Sequence, residues 1–132
     1  MEALPTELVV LAWSVVLLFV HIMLQGAGAT RDNGLDYNAS ARDEERPVSK
    51  LTGRLNRAKN NFLETYPAFV ALALALAVSG RTGGWAATGA VVWIVARIVY
   101  LPLYAAGVPV IRSLAYVVSV VGLALMFVGL LF

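Results

Sequence analysis

The sequence contains no cysteine and a single histidine, His21. Without Cys there is no disulfide scaffold, thiolate zinc site, CxxC redox motif or cysteine nucleophile. One His cannot build a His-rich metal site, so no metal is expected. Charge is scarce as well. Of the 132 residues, 14% are charged and 60% hydrophobic, against about 25% and roughly 45–50% in soluble domains. The mean hydropathy is +0.78. A soluble domain of this size buries only ~60–70% of its surface, and this composition therefore excludes a water-soluble enzyme. A formal net charge of +2 gives no ground for nucleic-acid binding. The length fits a single domain, residues 1–132.

What the sequence does have is four apolar stretches, at about residues 4–28, 54–79, 85–106 and 111–132. Each is long enough to cross a bilayer at about 20 residues per helix. The run Leu72-Ala73-Leu74-Ala75-Leu76-Ala77 alternates like a strand. Ala and Leu favour helix, however, and a lone strand in lipid leaves its backbone unpaired. The first stretch has an acidic start and too long an apolar run for a signal peptide, and reads as a retained helix. A polar connection, about residues 30–53, carries the turn signal Asp32-Asn33-Gly34 and a mixed charge run over residues 42–47. The other two connections, near residues 80–84 and 107–109, are short. Short connections make consecutive helices antiparallel neighbours. The predicted fold is all-α: an integral membrane four-helix up-down bundle.

Basic residues orient it. Arg31, Arg42, Arg46, Lys50, Arg54, Arg57 and Lys59 lie in the first loop and the start of span two, Arg112 follows the third connection, and the second loop holds only Arg81. Loops one and three are expected in the cytoplasm, with both termini on the opposite side.

Ionisable residues inside a span cost ~2.5–3.5 kcal/mol at mid-helix and usually face the bundle interior. Here they recur at helical spacing. Span two carries Arg57, Asn61 and Glu64; span three carries Arg97, Tyr100 and Tyr104; span four opens with Arg112, Ser113 and Tyr116. Each set shares one helix face. At 1.5 Å rise per residue, Glu64 and Arg97 both lie about 15 Å below the cytoplasmic ends of their spans. The three stripes thus fall at one depth and predict one pocket. Structural roles remain open for individual members. Glu64 and Arg97 could form an ion pair that locks helices, the tyrosines could belong to an interfacial belt, and Asn61 could join helices. Lys59 could snorkel, and His21 reads as packing. Three arginines facing a single Glu64 predict an anionic ligand that carries at least one cationic group. A small multidrug transporter would want a carboxylate within span one, which has none between Glu7 and Asp32.

The segment Arg57-Ala58-Lys59-Asn60-Asn61-Phe62-Leu63-Glu64-Thr65-Tyr66-Pro67 resembles the R-A-x-x-N-x-x-E-x-x-P signature of the MAPEG family, membrane-associated proteins in eicosanoid and glutathione metabolism. Arg97-x-x-Tyr100-x-x-x-Tyr104, followed by Arg112-Ser113-x-x-Tyr116, looks like the branch of leukotriene C4 synthase and the microsomal glutathione transferases, in a small bacterial-type form. The resemblance covers the whole chain. It implies a homotrimer in a bacterial inner membrane, with glutathione as co-substrate bound near the cytosolic face between subunits. By resemblance, Arg57, Asn61, Glu64, Tyr100 and Tyr104 hold the tripeptide, with Arg97 and Tyr116 in the same network. Arg31 is the candidate for a basic contact from the end of span one. Arg112 is expected to favour the thiolate, as a nearby cation does, with Ser113 as a competing donor. The implied chemistry is transfer of glutathione to a lipophilic electrophile, or reduction of a lipid hydroperoxide. The alternative is a non-catalytic lipid-binding or accessory subunit of the same fold. Ala71, Ala75 and Gly122 offer small surfaces for contact between helices.

Overall fold

Glu7, Val10, Ser14, Leu17 and His21 recur three or four residues apart and form the buried edge of the first helix, α1 (Thr6–Asn33). That period is one face of a helix. In the computed structural model, which describes residues 3–132, a one-turn helix α2 (Leu35–Ala39) follows, then α3 (Lys50–Ser79), α4 (Gly84–Ala105) and α5 (Pro109–Leu131). Met1 and Glu2, the start of the expected domain, lie outside the described residues. The chain is all-helical among the described residues, and α1, α3, α4 and α5 are long and apolar enough to cross a membrane. It is an integral membrane protein.

The polar connection is shorter than its composition predicts, because helix runs into it from both sides. Helix α1 continues to Asn33 and stops at Gly34, whose φ of 85° suits a residue without a side chain. Helix α3 already begins at Lys50, where the Ser49 hydroxyl accepts from the Thr52 N–H at 3.2 Å, a serine cap. The Ser49 N–H in turn donates to the Asp32 carboxylate at 2.8 Å and ties the end of α1 to the start of α3. The Asp32-Asn33-Gly34 signal therefore terminates a helix and anchors the next one. Pro67 sits within α3, and Pro102 within α4, without ending either helix.

Where lipid surrounds the helices, association rests on close packing and interhelical hydrogen bonds more than on apolar burial. The α4–α5 pair shows the first. A Cβ at Gly89 would lie 2.5 Å from the Gly122 carbonyl oxygen, and one at Gly122 would lie 2.7 Å from that of Gly89. The two backbones touch there because neither residue has a side chain. Gly122, expected to serve contact between helices, does so inside the protomer, while Ala71 remains exposed. Between α1, α3 and α4 the centre fills with aromatic rings. Phe69 and Trp93 stack with centroids 3.9 Å apart and planes 4° apart. Hydrogen bonds join the helices as well: Ser14 Oγ lies 2.9 Å from Tyr66 Oη. At the end away from α2, the Gly83 N–H donates to the carboxylate of fully buried Glu7 at 2.8 Å. That bond links the first turn of α1 to the start of α4. Helix α1 packs on α3 and α4 and makes no contact with α5.

Candidate functional site

Helix α3 presents Leu55, Ala58, Phe62, Phe69 and Leu76 to the core. Arg57, Asn60, Asn61 and Glu64 lie on a neighbouring face and form one wall of a cavity of about 570 Å³. Tyr100 and Tyr104 of α4 form the second wall, and Arg112, Ser113, Tyr116 and Val117 of α5 the third. Eight of the ten residues singled out from sequence line this one space. The stripes meet because α3, α4 and α5 pack against one another at the end where α4 turns into α5.

Tyr104 organises the charges. Arg57 Nε donates to its hydroxyl at 3.2 Å, and the Arg112 guanidinium lies 4.4 Å from the centre of its ring. A cation over an aromatic face is attracted by the ring's electron density. Tyr100 meets Tyr104 edge to face, with centroids 5.6 Å apart and planes at 67°. Tyr100 is 3% exposed, so it belongs to the bundle interior and not to an interfacial belt. Trp85, at the far end of α4, is the exposed aromatic of that helix. The Ser113 hydroxyl donates to the Pro109 carbonyl at 3.2 Å. Its proton is engaged by the backbone, which leaves Arg112 as the charged donor on that wall.

Two predicted residues stand elsewhere. Arg97 does not line the cavity; it is fully buried behind it. Its Nη1 donates to Asn61 Oδ1 at 2.8 Å, and its guanidinium carbon lies 4.3 Å from the centre of the Tyr100 ring. The alternative of a Glu64–Arg97 ion pair does not hold. The remaining Arg97 nitrogens, Nε and Nη2, have no hydrogen-bond partner among the described residues, and Glu64 lines the cavity instead. Arg31 is exposed in the last turn of α1 and does not line the cavity of its own protomer. The reason is topological, since α1 does not touch α5.

Asn60 and Val117 also line the cavity. Asn60 stands three residues after Arg57 and four before Glu64, so the same helical period marks it. Val117 gives no polar signal and follows only from Ser113 four residues earlier. His21 is packed, as its place on an apolar span suggests: its ring stacks on Phe62 with centroids 4.9 Å apart.

Chemically, the cavity offers two guanidinium groups, one carboxylate, three phenols and two amides. It sits at one end of a membrane bundle. These features define an integral membrane protein of four crossing helices with a polar, cation-rich pocket near one face. The chain matches the model of the MAPEG family over residues 8–132 and belongs to that family. Members of the family generally use glutathione, in transferase- or peroxidase-type reactions. No curated protein and no solved structure matches the chain.

Proposed function

We propose that the cavity binds glutathione and that the protein transfers it to a lipophilic electrophile or uses it to reduce a lipid hydroperoxide. The observation that carries this reading is the charge pattern of the lining. Arg57 suits a carboxylate of glutathione, and Glu64, the one acid of the lining, suits its ammonium. Arg97, from behind, fixes the amide of Asn61 for the peptide backbone.

Arg112 then stands as the group that lowers the thiol pKa, because a cation favours the thiolate. In transfer, the thiolate sulfur forms a bond to an electrophilic carbon and the leaving group departs with its electron pair. With a hydroperoxide, the sulfur takes the terminal oxygen and the lipid leaves as an alcohol. A second glutathione reduces the resulting sulfenic acid, giving the disulfide and water. Holding thiol and lipid in one site supplies much of the acceleration.

The proposed assembly is a homotrimer, with the basic end of each bundle in the cytoplasm of a bacterial inner membrane. In that assembly Arg31, which does not line the cavity of its own protomer, is offered to a neighbour's. Titration calorimetry of glutathione with the purified protein in detergent tests the reading. Saturable binding is expected, and no heat at millimolar glutathione would sink it. Binding without turnover across lipophilic electrophiles and hydroperoxides would identify a non-catalytic member.

A further inference from the structure

Arg54 takes no part in the cavity described above, yet its guanidinium has a defined place. Its Nη1 reaches the Ala105 carbonyl at 3.5 Å, across from α3 to the end of α4. It lies over the turn into α5 because position 107 has no side chain. Gly107 has φ of 75°, and a Cβ there would fall 2.8 Å from the guanidinium carbon. Arg54, Arg57 and Arg112 converge on a second cleft of about 200 Å³, floored by Gly107, Val108 and Pro109. Arg57, Tyr104 and Arg112 line both spaces and form the wall between them.

Three guanidinium groups line this cleft and no carboxylate does. The contacts that hold them are a carbonyl for Arg54, a phenol for Arg57 and a ring face for Arg112. None of these carries a negative charge. Like charges gathered in one small space repel, so the arrangement calls for an anion. A carboxylate has two oxygens and one charge to set against three planar forks. A phosphate group has more acceptor oxygens arranged tetrahedrally, and guanidinium pairs with it in bidentate fashion. The cleft also lies at the turn between two membrane-crossing helices, the level at which lipid headgroups sit. The start of α5 adds partial positive charge of the same sign.

We infer that this cleft is a phosphate-binding site, separate from the thiol pocket. Its occupant is the headgroup of an anionic phospholipid or a soluble phosphate. Because Arg57 and Arg112 face both spaces, phosphate in the cleft draws their charge away from the pocket. Phosphate and glutathione then weaken each other's binding by the same factor, as linkage requires.

The test uses the full-length protein in phosphatidylcholine nanodiscs, with and without phosphatidylglycerol, and native mass spectrometry of the lipid it retains. Calorimetry with inorganic phosphate in the phosphatidylcholine discs forms the second arm. Selective retention of phosphatidylglycerol, lost in Arg54→Gln, assigns the site to a headgroup. Saturable inorganic phosphate binding, weakened roughly tenfold or more in Arg54→Gln, assigns it to a soluble phosphate when lipid is not retained. Val108→Glu, which sets a carboxylate among the arginines, gives the same loss and serves if Arg54→Gln does not fold. No binding in either arm, or binding that both variants leave unchanged, overturns the inference. Glutathione titrated into phosphatidylcholine discs free of phosphate separates this result from the reading of the thiol pocket. There Arg54→Gln keeps its glutathione affinity within about twofold, since the residue lies outside that pocket.

Discussion

Arg97 Nη1 donates to Asn61 Oδ1 at 2.8 Å, from a side chain that has no exposed surface. A buried charge therefore stands behind the pocket and meets it through two neutral groups, the Asn61 amide and the Tyr100 ring. Both of these Arg97 partners line the pocket.

The first prediction concerns that pair. Asn61→Leu leaves the Arg97 guanidinium with no oxygen partner, and hydrogen bonds to a charged group are worth about 1.5–3 kcal/mol. Thermal unfolding in detergent is expected to show a loss of that order. The double variant Asn61→Leu/Arg97→Met is expected to lose less than the sum of the two single changes, because they share one contact. Strict additivity would show that the bond contributes nothing to stability.

Glu64 is the one acid of the pocket lining. Glu64→Gln keeps the shape and removes the charge that faces an ammonium. Glutathione affinity is expected to fall about tenfold, or 1.4 kcal/mol. The melting temperature is expected to stay near that of the wild type, since the Glu64 side chain is exposed. Unchanged affinity by calorimetry would make the α3 stripe structural.

For Arg112→Ala, the expected pattern is a fall in kcat of roughly tenfold or more with a smaller change in KM, as when a group acts mainly in the transition state. The ultraviolet absorbance of bound thiolate is expected to fall in parallel. A rise in KM alone would remove Arg112 from thiol activation and leave it a carboxylate clamp.

Legibility differed between the parts of this molecule for physical reasons. Arg57, Asn61 and Glu64 could be placed on one wall because a charge in an apolar span is rare and helical spacing fixes its face. The meeting of three such walls followed from their common depth. Arg97 shows where depth stopped helping. Spacing put it on the face of Tyr100, but which residues of a stripe reach open space depends on how far the neighbouring helices approach. Gly122 reads as a surface for close helix contact, and it makes one, but a small residue gives no sign of which helix will cover it. Arg54 reads from sequence only as one of the basic residues that orient the bundle, because its setting depends on a bare Gly107 distant in sequence.

Glu7 gives a fourth test. Its carboxylate receives the Gly83 N–H inside the protein, and Glu7→Ala would leave that donor unpaired at a cost of about 1–3 kcal/mol. Glu7→Gln retains an acceptor oxygen and is expected to lose less. Equal losses in thermal unfolding would assign the effect to charge instead of the hydrogen bond.

The glycine contact between α4 and α5 fixes two walls of the pocket to each other. Two helices joined backbone to backbone have little freedom to slide, so Tyr100, Tyr104, Arg112 and Tyr116 ride on one stiff plate. Arg57, Asn61 and Glu64 ride on α3, whose contact with α5 is much less extensive. The width of the pocket is then set by the angle between that plate and α3, which packs on α1 as well as on α4. The Arg57–Tyr104 hydrogen bond spans that joint.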